Sequence, residues 1–148
     1  MDLTPIASSL IILAHSITAT YMGVDPEKVP PIKGAYTLPI KQLPNVCESY
    51  VCKPPATGVY LYANQKVYLG TKPYYKERFI FSQLIHETVH HFQVHAPSIK
   101  TRACNNAEEF QAQTLQAIYL KGNGEHWIDK VFVELKNNRK KCSRFRFK

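Results

Sequence analysis

Phe81-Ser82-Gln83-Leu84-Ile85-His86-Glu87-Thr88-Val89-His90-His91-Phe92 is the stretch on which the reading of this chain turns. Phe81, Leu84, Ile85, Thr88, Val89 and Phe92 recur at helical spacing and supply one buried side. The pattern predicts a helix over roughly Lys76 to His95, stopped by Ala96-Pro97. On such a helix His86 and His90 stand one turn apart and project from the same face. Two imidazoles so placed can share one Zn²⁺, and Glu87 between them can reach a water on that ion.

Upstream, Gly58 to Ala63 and Lys66 to Gly70 are rich in Tyr, Val and Leu and flank Asn64-Gln65, which predicts a β-hairpin. Before it, Pro26, Pro30, Pro31, Pro39 and Pro44 predict an extended, irregular connection with a short strand near Tyr36 to Ile40. Thr4-Pro5 reads as the N-cap and first residue of a helix running to about Tyr21, with Gly23 as its stop. Downstream, Asn105 or Asn106 suits the cap of a helix from Ala107 to about Leu120. Glu108 and Glu109 lie in its first turn and Gly122 ends it. Trp127, Ile128, Val131, Phe132 and Leu135 form the stripe of a fourth helix over 125–137. The expectation is one α+β domain spanning residues 1–148. It comprises an N-terminal helix, a small antiparallel hairpin or sheet, the motif helix, a glutamate helix and a C-terminal helix.

The chain has 148 residues, 45% hydrophobic and 20% charged, enough to bury a core without a metal to fold it. Its formal charge of +8 owes much to Arg139, Lys140, Lys141, Arg144, Arg146 and Lys148. That cluster reads as a solvated tail or as a patch for anions. No nucleic-acid module signature accompanies it, so no specific nucleic-acid partner is expected. No apolar run approaches the length of a membrane span. Cys47, Cys52, Cys104 and Cys142 are even in number and lack a second knuckle to pair with Cys47-x4-Cys52. Two disulfides are expected, hence a periplasmic or secreted protein whose export signal is absent from this sequence. The alternative is reduced thiols in the cytoplasm.

A catalytic zinc takes three protein ligands and keeps one position open. A third histidine six residues after His90 would complete a three-histidine peptidase motif, but Ala96 stands there, and Gln93 stands where that motif has glycine. The remaining source is a carboxylate from the following helix, Glu109 or Glu108. Ala112 and Gln116 continue the face of Glu109, and a small residue at 112 lets the two helices approach closely. Glu108 points about 100° away and is free to stabilise the helix N-terminus. Glu109 is therefore the expected ligand, with Glu108 as the alternative.

His86-Glu87-Thr88-Val89-His90 followed by Glu109-Phe110-Gln111-Ala112 resembles the gluzincin metallopeptidases, and the chain resembles their smallest members, the minigluzincin type. The resemblance covers about residues 58–120. It implies a zincin-like fold and zinc held by His86, His90 and Glu109. It further implies Glu87 as general base and a peptide or protein substrate paired with a hairpin edge around Lys66 to Leu69. Many gluzincins carry an acidic residue four positions after the ligand glutamate; here that residue is Gln113. The oxyanion-stabilising histidine or tyrosine of larger relatives has no clear counterpart, Tyr119 being one candidate.

His91 and His95 fall off the ligand face and read as helix surface or as support for the ligands. Tyr60, Tyr62 and Tyr68 read as hairpin packing. The leading expectation is a monomeric zinc metallopeptidase. A catalytically inactive or self-blocked zincin scaffold acting as a binding module is the second, and a basic interaction module with incidental histidines the third.

Overall fold

A computed structural model describes residues 1–47, 57–96 and 107–123. The architecture is mixed α+β, a small sheet of four strands packed against helices. In chain order the elements are β1 (Thr4–Pro5), α1 (Ser8–Met22), β2 (Gly34–Pro39), β3 (Gly58–Leu61), β4 (Lys66–Thr71), α2 (Glu77–His95) and α3 (Ala107–Gly122). Short 3₁₀ turns occupy Pro26–Lys28 and Ile40–Asn45. The sheet order is β1-β2-β4-β3. β2 and β4 run parallel, and the other two pairings are antiparallel.

The predicted hairpin forms, with Tyr60 opposite Val67 and Leu61 opposite Lys66. Its turn uses Gln65, at φ 57, as the left-handed residue. Asn64 instead accepts a hydrogen bond from the Lys66 amide through its side-chain oxygen. Leu69 and Val67 point inwards onto Leu84, Ile85, Val89 and Phe92 of α2, with Ala14 and Ala19 of α1 in the same core. The opposite sheet face carries a smaller cluster of Leu38, Val59 and Leu43.

Three expectations change. Thr4-Pro5 does not open the first helix. It pairs with Thr37 and Tyr36, and the Ile6 amide reaches Ala35 O at 2.8 Å, so the chain stays extended to Ala7. Proline tolerates this because an edge strand asks no N–H of it on the solvent side. Gly23 does end α1, at φ 66, with its own and the next amide closing on Thr20 O and Ala19 O. Secondly, Lys66 to Leu69 is not a sheet edge. β4 is flanked on both sides, by β2 and β3, and among the described residues β3 is the outer strand on the hairpin side, as β1 is on the other.

The third correction is His91, which is fully buried. The Tyr60 hydroxyl donates to its Nδ1 at 2.7 Å, and its Nε2–H donates to Pro30 O at 2.6 Å. One imidazole thus joins β3, α2 and the connection leading into β2. Burial keeps both partners neutral: it pushes the Tyr60 hydroxyl up to about 12, and it lowers His91 against the help of the Pro30 carbonyl. His95 is exposed as expected. His15 is buried against Phe92, with ring centroids 4.7 Å apart.

The expected fourth helix over 125–137, the Asn105 or Asn106 cap, Cys52, Cys104, Cys142 and the basic cluster from Arg139 lie outside the described residues. Among those described, no helix is long and apolar enough to cross a membrane.

Replacing Tyr60 by Phe keeps the ring but leaves His91 Nδ1 without its donor in the core. The expected cost is about 1–3 kcal/mol, read as a lower urea midpoint at unchanged slope. An unchanged midpoint would mean that the Tyr60–His91 contact contributes nothing to the core.

Candidate metal centre

α2 is buried nearly all round, and this positions the motif. Leu84, Ile85, Val89 and Phe92 anchor it to the sheet and α1, and α3 packs along another side. Ala112 is fully buried and sets a close helix approach. His86 and His90 then lie side by side with ring centroids 5.1 Å apart. Their side chains are 13% and 14% exposed, open enough to be reached and closed enough to be held.

The first turn of α3 delivers Glu109 between them. Glu109 Oε1 lies 2.8 Å from His86 Nε2 and Oε2 lies 3.0 Å from His90 Nε2. Glu108 makes no such approach; its backbone carbonyl accepts from Gln93 Nε2. Between the two candidates, the geometry brings together the set containing Glu109. Glu87 is buried beside them, its Oε1 4.0 Å from His86 Nε2. Ligand atoms of His86, Glu87 and His90 lie within 4.8 Å of one another, a group that could hold a metal ion. Two imidazole nitrogens and a carboxylate are the donor types that zinc takes, at about 2.0–2.2 Å. The donor set fits a divalent ion of the zinc type.

Glu87 also meets the sheet. The backbone of Gly58, first residue of β3, lies so close that a Cβ there would stand 3.5 Å from Glu87 Oε1 and 3.0 Å from Leu69 Cδ2. Tyr62, just beyond β3, is 57% exposed. Its hydroxyl is raised by burial and by the negative charges of Glu108, Glu87 and Glu109. Its ring packs edge-on against Tyr60, with centroids 5.2 Å apart. Tyr119 packs edge-on against Phe81 at 5.3 Å. Gln113, at the position where many gluzincins have an acid, lies 3.5 Å from Glu109 Oε1 and contacts neither histidine.

Two residues act here that the sequence reading did not assign. Gln116 Oε1 lies 2.9 Å from His86 Nδ1, and Gln93 Oε1 lies 2.8 Å from His90 Nδ1. A ligand histidine needs a partner on its far nitrogen. A glutamine three residues after His90 on the same helix, and another on the Glu109–Ala112 face, were the signals for them.

The charges are strongly coupled. Burial opposes a cationic His90, but the hydrogen bond to Glu109 and the neighbouring carboxylates lift it to about 9. Burial likewise opposes the Glu109 anion, and contacts with His86 and His90 overcome it, holding the carboxyl well below its usual range. Burial pushes Glu87 up, against the pull of both histidines. No protein-family model, no curated protein and no solved structure matches the chain. The functional reading therefore rests on these residues and their geometry.

These shifts set a pH signature for metal-free protein. The raised His90 contributes stability below its unfolded value of 6.5, and the contribution is lost as pH climbs through about 9. The depressed Glu109 contributes above its unfolded value of 4.5 and fades as pH falls below it. In the presence of chelator the urea midpoint should fall between pH 6.5 and 9, and Glu109→Gln should flatten that fall. Equal slopes in the two proteins would contradict the pairing.

Proposed function

We propose that this chain is a zinc-dependent metallopeptidase of the small gluzincin type. The observation that carries the reading is the convergence of His86 Nε2, His90 Nε2 and the Glu109 carboxylate, with the buried carboxyl of Glu87 alongside. His86, His90 and Glu109 would hold the ion. Bound there, zinc would lower the pKa of a coordinated water towards about 7 and polarise a peptide carbonyl.

The chain's own residues do the proton work. Glu87 takes a proton from the attacking water and returns it to the leaving amine. Its buried setting favours this, because a raised carboxyl holds a proton more readily than an exposed one. The outer edge of β3, Gly58–Leu61, is the strand with which an extended peptide can pair, in place of the β4 edge anticipated from sequence. Gly58 brings that edge against Glu87, so a peptide lying along β3 passes beside the base. The protein is proposed to act as a monomer, with its cysteines paired in an oxidising compartment.

Zinc analysis of protein purified without chelator tests the ligand set; metal-free protein that takes up no zinc would sink the proposal. Glu87→Ala should retain zinc and lose cleavage of a generic peptide library by about 10²–10⁴-fold. Zinc binding with no cleavage by the unaltered chain would instead favour the inactive scaffold. Glu109→Gln should weaken zinc binding far more than Glu108→Gln, and the reverse order would transfer the ligand role to Glu108.

A further inference from the structure

Each imidazole facing Glu109 is held from behind by a side-chain amide that is itself anchored across the α2–α3 contact. Behind His86 the contacts run from Nδ1 to Gln116 Oε1 at 2.9 Å, from Gln116 Nε2 to Ser82 Oγ at 3.1 Å, and from Ser82 Oγ to Phe79 O at 2.6 Å. Behind His90 they run from Nδ1 to Gln93 Oε1 at 2.8 Å, and from Gln93 Nε2 to Glu108 O at 2.9 Å and Gln111 Oε1 at 3.0 Å.

Both chains end on a backbone carbonyl, which can only accept. That terminus sets the direction of every hydrogen before it. Phe79 O takes the Ser82 hydroxyl hydrogen, so Ser82 Oγ accepts from the Gln116 amide nitrogen. The Gln116 oxygen then faces His86 Nδ1, and because it can only accept, Nδ1 carries a hydrogen. In the second chain Glu108 O requires the Gln93 nitrogen, which turns the Gln93 oxygen towards His90 and places a hydrogen on that Nδ1 too. Both rings therefore present Nε2 towards Glu109.

We propose that Gln93 and Gln116 are the positioning residues of this centre, each setting the tautomer and orientation of one metal-binding imidazole through a neutral amide. The proposal rests on the reading of His86, His90 and Glu109 as ligands. Such partners are commonly carboxylates or backbone carbonyls. Amides hold the rings in the same tautomer without adding negative charge to a site that already contains Glu87 and Glu109. They also join orientation to assembly. Gln116 belongs to α3 and reaches Ser82 on α2. Gln93 belongs to α2 and reaches Glu108 and Gln111, in the turn that carries Glu109. The groups that aim the histidines are thus the groups that register the two helices supplying ligands.

The test uses the full chain, with zinc affinity from chelator competition and long-range ¹H–¹⁵N correlations of the zinc-loaded imidazoles. In the unaltered protein both rings should show Nδ1–H and a metal on Nε2. Gln93→Met and Gln116→Met should each weaken zinc binding about 10–100-fold. Gln42→Met, whose side chain pairs with Asp2 away from the centre, should stay within about twofold. Gln116→Glu keeps an acceptor for His86 and can take the Ser82 hydroxyl hydrogen, so it should recover most of the affinity and the Nδ1–H signal. It serves as the readout for that chain should Gln116→Met not fold, and loss of the His86 Nδ1–H signal in this variant would overturn the proposal. Unchanged affinity in both Met variants, or Nδ1 ligation in the unaltered chain, would also overturn it while leaving the zinc site intact. A chain that binds no zinc at all would overturn the ligand reading itself.

Discussion

The carboxylate of Glu109 lies between two imidazoles that stand one turn apart on another helix, and the rest of the site depends on that contact. It requires α3 to lie close against α2, which Ala112 permits by leaving almost no side chain between the helices. It requires α2 to be fixed in rotation, which the sheet does through Val67 and Leu69 packing on Ile85, Val89 and Phe92. Rotating α2 by one residue, about 100°, would carry both histidines off the site together.

The site is asymmetric in its exposure. Glu87 is buried beside the Gly58 backbone, whereas the Glu109 side chain is 48% exposed. Burial pushes Glu87 towards its neutral form, whereas burial opposes the Glu109 anion and the hydrogen bonds from His86 and His90 overcome it. Environments that separate two neighbouring carboxyls in this way suit a proton-transfer group beside a charge-bearing ligand.

Much of this was legible in the residues. The hairpin, α2 and α3 follow from alternation, from helical spacing and from Ala96-Pro97, all of which act within a few residues along the chain. Helical phase singled out Glu109 over Glu108, and the Glu109 carboxylate is the one that lies between the two imidazoles. What escaped the reading depends on contacts between segments far apart in sequence. Thr4-Pro5 suits a helix start and an edge strand equally well, since a fixed φ fits both, and only pairing with Tyr36 and Thr37 decides between them. β4 looked like an edge because nothing local announces a parallel neighbour such as β2. His91 looked exposed because a single apolar stripe implies a helix with one wet side. α2 instead packs on several sides, and the buried His91 is satisfied by Tyr60 and Pro30. Gln93 and Gln116 were visible as residues but not as partners, since their role exists only once α2 and α3 have met.

The parallel pairing of β2 with β4 has a kinetic meaning as well as an architectural one. β3 and β4 are neighbours in sequence and close over a short turn, which is fast. β2 must find β4 across the intervening chain, and it brings β1 with it. The loop-closure entropy of that step is incurred before its contacts are gained. The hairpin and α2 can therefore organise early, while the N-terminal strands join late. The histidine pair and the strand beside Glu87 both belong to the early part, so this half of the candidate site has no need to wait for the sheet to be completed.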